Sequence, residues 1–260
     1  MHAEVLTLNA DRNVTLTAYL QPADGEFAGV GARPAVVILP GGGYSYCSDR
    51  EADPVAYPFL AAGYQAFVLR YSTGEHGAWP HPLDDYEQAM ALIADNADAW
   101  HLDPAKVAVI GFSAGGHLAA VAATTARHRP AAAVLGYPVI RPDIVDACQP
   151  GMPYPAEHVT ADTAPCFLFH TRDDETTVVE NTLLFATALA GAGVPLEAHV
   201  YAYGSHGFST GAAHLNARPL TPRARSWVPE SIAWLDDVLG PLTAGGIGEP
   251  ARLAVTRRSS

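Results

Sequence analysis

Apolar and polar positions along the chain follow two rhythms. Residues 4–8 and 14–20 alternate apolar with polar side chains, Val14, Leu16, Ala18 and Leu20 sharing one face, across the turn Asn9-Ala10-Asp11-Arg12-Asn13. That period of two predicts an antiparallel hairpin at a sheet edge. Further on the strands change character: residues 35–39, 107–110, 131–135 and 166–170 are short, nearly unbroken apolar runs, the pattern of strands covered on both faces. Residues 65–71 and 196–201 complete the expected set. Between the strands, residues 54–62, 114–127, 179–190 and 227–239 read as helices, as does a segment in which Leu83, Tyr86, Met90, Ile93, Ala97 and Trp100 recur at three- and four-residue spacing. Strands alternating with helices, without an internal repeat, predict an α/β fold with a mostly parallel central sheet of about eight strands. Helices cover both faces, and the ligand site lies at the carboxyl ends of the strands.

Two stretches break the rhythm. Residues 136–164 contain five prolines, and Pro142, Pro150, Pro153 and Pro155 leave no room for a long amphipathic helix. This excursion is expected to form a small cap over the site. The tail at 241–260, with Arg257 and Arg258, is expected to be peripheral, which leaves residues 1–240 as one domain.

Composition narrows the partners. The 260 residues are 49% hydrophobic and 16% charged, enough to bury a sizeable core, and the formal net charge is -12. Such a field repels phosphates and argues against nucleic acid and anionic membranes, favouring a neutral small molecule. Cys47, Cys148 and Cys166 form no Cys-x-x-Cys pair, so neither a disulfide framework nor a thiolate metal site is expected. The start Met1-His2-Ala3-Glu4-Val5 lacks the basic and apolar regions of a signal peptide, and no apolar run reaches membrane-spanning length; the expected location is the cytoplasm. The oligomeric state is left open.

The chemistry centres on Gly111-Phe112-Ser113-Ala114-Gly115, which follows an apolar run and opens an Ala-rich helical segment. Glycines on both sides suit the sharp strand-to-helix turn that holds a serine hydroxyl above a sheet. A serine needs a base, and the base needs a carboxylate to hold its tautomer. His206 sits in the Gly-flanked loop after the last strand, with His214 as the fallback. Asp173 and Asp174 follow the strand at 166–170. Asp174 is preferred because Asp174-Glu175-Thr176-Thr177 matches an Asp-x-x-Val type of loop with a β-branched residue last. The N–H of Ala114 and those of Gly42 and Gly43, in Pro40-Gly41-Gly42-Gly43-Tyr44, are candidates for an oxyanion hole. Gly41-Gly42-Gly43 lacks the Gly-Lys-Ser/Thr ending of a phosphate loop.

Together with Trp79-Pro80-His81-Pro82-Leu83-Asp84-Asp85, the segment 170–181 and Gly204-Ser205-His206-Gly207, these motifs resemble the bacterial acetyl esterase and acetylxylan esterase group of α/β-hydrolases, relatives of the hormone-sensitive lipase type. The resemblance covers roughly residues 30–240 and implies serine-dependent ester hydrolysis without cofactor or metal, often on acetylated sugars such as xylo-oligosaccharides. Pro40 stands where many relatives carry the His of His-Gly-Gly-Gly, and the excursion at 136–164 is shorter than the usual cap. Tyr44, Trp79 and Tyr154 are expected as flat faces for a sugar ring, with His76, His81 and Asp49 as hydrogen-bonding partners. Two rivals stand beside this reading. An exopeptidase of prolyl-peptidase type shares the acid and histidine loops but usually carries a propeller or lid domain, for which this length leaves no space. A non-catalytic binding module on the same fold usually loses a triad member, and all three are present here.

Overall fold

The computed structural model describes residues 1–251; Arg257 and Arg258 of the expected tail lie outside the described residues. Eight strands form one sheet in the order β1-β2-β4-β3-β5-β6-β7-β8. They are β1 (His2–Asn9), β2 (Val14–Leu20), β3 (Arg33–Leu39), β4 (Gln65–Arg70), β5 (Leu102–Phe112), β6 (Ala132–Gly136), β7 (Cys166–Thr171) and β8 (Leu196–Tyr201). The β1–β2 hairpin runs antiparallel to its neighbour β4, whereas β4, β3, β5, β6, β7 and β8 pair in parallel. Parallel pairing needs crossovers, and these are α1 (Asp53–Ala61), α2 (His81–Asp95), α3 (Ala114–Thr125) and α5 (Glu180–Ala192), while α6 (Trp227–Leu239) follows β8.

Successive residues of a strand point to opposite faces, so each central strand feeds two cores. Val37, Leu39, Val109 and Leu135 pack toward α2, α3 and α5, where Tyr86, Leu118 and Phe185 meet them. Val36, Ile38, Ile110, Phe112 and Phe169 pack toward α1 and α6, against Phe59, Trp227 and Leu235. Phe169 and Trp227 stack with ring centroids 4.3 Å apart. The continuous apolar runs are thus explained by burial on both sides.

Three boundaries differ from the periodic pattern. Helix α2 stops at Asp95, where Asn96 turns its side-chain amide back onto the Leu92 carbonyl (2.8 Å); Ala97 and Trp100 continue the apolar series as buried residues of the following turns. Strand β5 begins at Leu102, ahead of the apolar run at 107–110, and its pairing with β3 is irregular between Arg33 and Ala35. Within 136–164 there are one short α-helix, α4 (Pro142–Cys148), with Pro142 in its first turn, and one 3-10 turn at Pro155–His158. After Gly240 the chain forms a hairpin of β9 (Leu242–Thr243) and β10 (Gly246–Ile247).

The edge hairpin is fastened by a buried charge. Asp85, wholly buried on α2, accepts the Arg12 guanidinium from the β1–β2 turn (2.5 Å) and the Ser72 N–H beyond β4 (2.8 Å). Removing one partner of a buried pair strands the other. Asp85→Ala is therefore expected to lower the unfolding free energy by about 3–5 kcal/mol, measured by urea denaturation; a loss below about 1 kcal/mol would show that water replaces the carboxylate.

Candidate active site

Between the last residue of β5 and the first of α3 stands Ser113 alone, with φ 52° and ψ -116°. This left-handed conformation is costly for a residue with a side chain and persists only where its surroundings over-determine it. Those surroundings are visible: the Ser113 N–H donates to the Gly136 carbonyl (3.0 Å), and its carbonyl accepts from His117 (3.0 Å) and Val139 (3.1 Å). A Cβ on Gly111 would collide with the Gly115 carbonyl, and one on Gly115 with the carbonyls of Leu39 and Pro40. Only glycine permits α3 to start this close to the ends of β3 and β5.

The loops after β7 and β8 bring the other two groups. His206 Nε2 lies 3.0 Å from Ser113 Oγ, and His206 Nδ1 lies 2.7 Å from Asp174 Oδ2. A carboxylate on Nδ1 draws the ring proton there and leaves the Nε2 lone pair facing the serine hydroxyl. Asp174 is buried and also accepts the N–H groups of Thr176 (2.8 Å) and Thr177 (3.0 Å), with His170 Nε2 3.5 Å from Oδ2. Burial alone would push its carboxyl up, but hydrogen bonding and charge from His170 and His206 outweigh that and hold it well below the usual carboxylate range. The neighbouring Asp173 faces elsewhere and accepts the Gly204 N–H (2.7 Å), which ties the β7 loop to the loop bearing His206. His214 is exposed and takes no part in these hydrogen bonds.

Across the cleft lies the glycine loop after β3. Among the described residues, the N–H groups of Gly42, Gly43 and Ala114 have no hydrogen-bond partner, whereas the Gly41 N–H donates to Glu51 Oε2 (3.0 Å). Gly42 takes φ 129°, and a Cβ there would overlap the Tyr46 carbonyl. The cleft has a volume of about 220 Å³ and is bounded on one side by Val139, Ile144 and Cys148.

Several polar residues here escape a linear reading. Buried Glu51 accepts the Tyr137 hydroxyl at Oε1 (2.6 Å), and that hydroxyl in turn accepts the Ser209 N–H (2.9 Å). One carboxylate thereby joins the glycine loop, β6 and the loop after His206. Burial raises the Glu51 carboxyl, opposed by the Tyr137 hydrogen bond and the His206 charge. His170 donates from Nε2 to the Thr177 carbonyl (2.5 Å) and accepts the Thr182 hydroxyl at Nδ1 (2.8 Å), fixing the Asp174 loop. His117 donates from Nε2 to the Pro153 carbonyl (2.8 Å) and accepts the Tyr44 hydroxyl (2.7 Å), anchoring the segment around Pro153 to α3. A charged residue shortly after a glycine loop is the one available signal for Glu51, and it does not separate Glu51 from Asp49 or Asp53.

The aromatic residues expected as ligand faces do not line the cleft at Ser113. Tyr44 is 2% exposed and spends its hydroxyl on His117, so its ring offers no open face. Trp79 packs against the core, and the Tyr154 hydroxyl donates to Asp146 (3.0 Å). Asp49 pairs with Arg70 (2.9 Å), and His81 Nδ1 donates to the His76 carbonyl (3.0 Å). Among the described residues, no three His, Cys, Asp or Glu side chains are grouped to hold a metal ion, and no helix is long and apolar enough to cross a membrane.

Comparison with known proteins gives this geometry a family. The BD-FAE family model matches residues 28–135. The chain is similar to endo-1,4-beta-xylanase B of Butyrivibrio fibrisolvens, 32% identical over 210 residues that make up 68% of this chain and 33% of the relative. It is also similar to the acetylxylan esterase of Xylanibacter ruminicola, 32% identical over 199 residues, 68% of this chain and 41% of the relative. The chain thus spans a third to two-fifths of the length of these curated relatives. The crystal structure of MGS-M1, an alpha/beta hydrolase enzyme from a Medee basin deep-sea metagenome library, superposes with a TM-score of 0.84 at 42% identity, covering 92% of this chain and 98% of that one. The chain belongs to the α/β-hydrolases, and residues 28–135 carry its match to the BD-FAE family.

The His117 anchor predicts an acid response. Burial lowers the folded His117 to about 4, partly offset by its Pro153 hydrogen bond, while the unfolded residue titrates near 6.5. Between those values the unfolded chain binds the extra proton, so this contribution to stability is lost as pH falls from about 6.5 to 4. Denaturant midpoints are expected to decline through that window and to decline less steeply in His117→Gln, whose amide can serve both partners; identical slopes would remove His117 from the account.

Proposed function

We propose that the protein is a serine carboxylic ester hydrolase that acts on short-chain acetyl esters, with acetylated saccharides such as xylo-oligosaccharides as the natural class. The observation that carries this reading is the unbroken line Ser113 Oγ, His206, Asp174, at 3.0 and 2.7 Å, beside three N–H groups without partners among the described residues. His206 Nε2 takes the Ser113 proton as Oγ attacks the ester carbon. The carbonyl oxygen becomes an oxyanion, and the N–H groups of Gly42, Gly43 and Ala114 stabilise it. Collapse breaks the bond to the alcohol oxygen, which receives the proton from His206 and leaves an acetyl-Ser113. Water, deprotonated by the same imidazole, then attacks the acyl carbon; acetate departs and Ser113 regains its proton. Asp174 stabilises the imidazolium at each stage.

The small cleft supports a short acyl group. Each methylene gains about 0.8 kcal/mol only when it is buried, and Val139, Ile144 and Cys148 bound a space of about 220 Å³. The acetylxylan esterase among the relatives supports the saccharide half.

Ser113→Ala and His206→Ala are each expected to reduce kcat by at least about 10³-fold with the far-ultraviolet spectrum unchanged, since members of such a unit fail together. Asp174→Asn is expected to cost about 10³–10⁴-fold by presenting the wrong tautomer, and Asp173→Asn far less; the reverse order would exchange their roles. With 4-nitrophenyl esters, kcat/KM is expected to fall from acetyl through butanoyl to octanoyl. A rise toward octanoyl would exclude the short-acyl reading, and failure to release acetate from any acetylated xylo-oligosaccharide would exclude the saccharide.

A further inference from the structure

On the far side of His206 lies a second pocket, of about 310 Å³, that shares His206 and Thr176 with the catalytic cleft. Its walls are the loops after β7 and β8 together with Arg218 and Pro219. This volume is at the lower end of those that hold small-molecule ligands.

The walls are fastened to one another. Asp173 Oδ1 accepts the Gly204 N–H (2.7 Å), the Thr171 hydroxyl donates to the Gly204 carbonyl (2.7 Å), and the Ser205 N–H donates to the Pro219 carbonyl (3.2 Å). The Thr221 N–H in turn donates to the Tyr203 carbonyl (3.2 Å). Backbone pairing thus holds three chain segments around the space before any ligand arrives.

Other groups around that space are left without partners. Among the described residues, neither Glu175 nor Arg218 forms an ion pair, and both are exposed. The Ser205 hydroxyl is buried without a hydrogen-bond partner, a condition that native structures seldom leave unused. Tyr203 is 45% exposed. Two carboxylates, Asp173 and Glu175, against one guanidinium disfavour an anion, and the polar lining disfavours an acyl tail. Donors, acceptors and one flat face together fit a neutral ligand with several hydroxyls.

Position decides what such a ligand would be. The imidazole that deprotonates Ser113 also returns the proton to the departing alcohol, so the alcohol must lie on the His206 side, opposite Val139 and Ile144. We propose, resting on the esterase reading above, that the pocket of Tyr203, Ser205, Arg218 and Glu175 is the subsite for a sugar leaving group. Tyr203 underlies the ring, and Arg218, Glu175 and Ser205 bond its hydroxyls. A site built to satisfy hydroxyls rejects alcohols that lack them, because its polar groups are then left unpaired.

Two measurements test this. The first is the ratio of kcat/KM for acetylated xylobiose over ethyl acetate, whose alcohol is too short to reach the pocket; the ratio is independent of the fraction of enzyme folded. It is expected to fall about tenfold in Tyr203→Ala and in Arg218→Ala, chiefly through KM. The second is titration of Ser113→Ala protein with xylobiose, followed by nuclear magnetic resonance, which needs no turnover. Binding is expected, and adding Tyr203→Ala or Arg218→Ala is expected to weaken it about tenfold. An unchanged ratio, or xylobiose binding that is absent or indifferent to both substitutions, overturns the subsite while wild-type hydrolysis of ethyl acetate leaves the esterase reading intact. Should the wild-type protein cleave no ester at all, the esterase reading fails by itself, and the leaving-group subsite fails with it.

Discussion

The approach of α3 to the ends of β3 and β5 is the constraint on which the site depends. Gly111 and Gly115 let the first turn of the helix touch the carbonyls of Leu39 and Pro40. That contact does two things at once: it forces Ser113 into its left-handed conformation, and it sets the Ala114 N–H beside the glycine loop that follows Leu39. A larger residue at either glycine would push the helix away and separate serine from loop. The register of β3 with β5, Leu39 opposite Gly111, makes this meeting possible.

Loops at the end of a sheet have little backbone pairing of their own, so buried side chains hold them. Glu51 and Tyr137 connect the glycine loop to the chain beyond His206, while His170 and Thr177 brace Asp174 from below. These polar groups lie in a low-dielectric setting where each must be satisfied. The result is an array in which the distances among Ser113, His206 and Asp174 are set by several independent elements. Tyr137 also meets His206 edge-on, with ring centroids 5.0 Å apart, which limits the tilt of the imidazole.

The imidazole divides the surface at the sheet end into unlike halves. Toward α4 the lining is small and apolar; toward Tyr203 it is polar and more open. A hydrolase of this kind separates an acid from an alcohol, and the two products differ in polarity when the substrate is an acetylated sugar.

Much of this was legible in the linear chain. Strands buried on both faces announce themselves as continuous apolar runs, and a serine between two glycines at a strand-to-helix junction has a steric meaning before any coordinates exist. The order of Ser113, Asp174 and His206 follows from three strands ending on one side of a parallel sheet. What the sequence by itself could not decide were contacts between residues distant along the chain. Glu51 and Tyr137 are 86 positions apart and meet only because β3 and β6 flank β5. The aromatic residues fell on the same side of this divide: Tyr44 lies beside the glycines as a ligand face would, yet its buried partner His117 is 73 positions away. Local periodicity determines which face of a strand or helix is apolar, because neighbours in sequence share that geometry. Which loops end side by side, and hence which polar groups are spent on each other and which remain for a ligand, is decided by strand order, a property of the whole sheet.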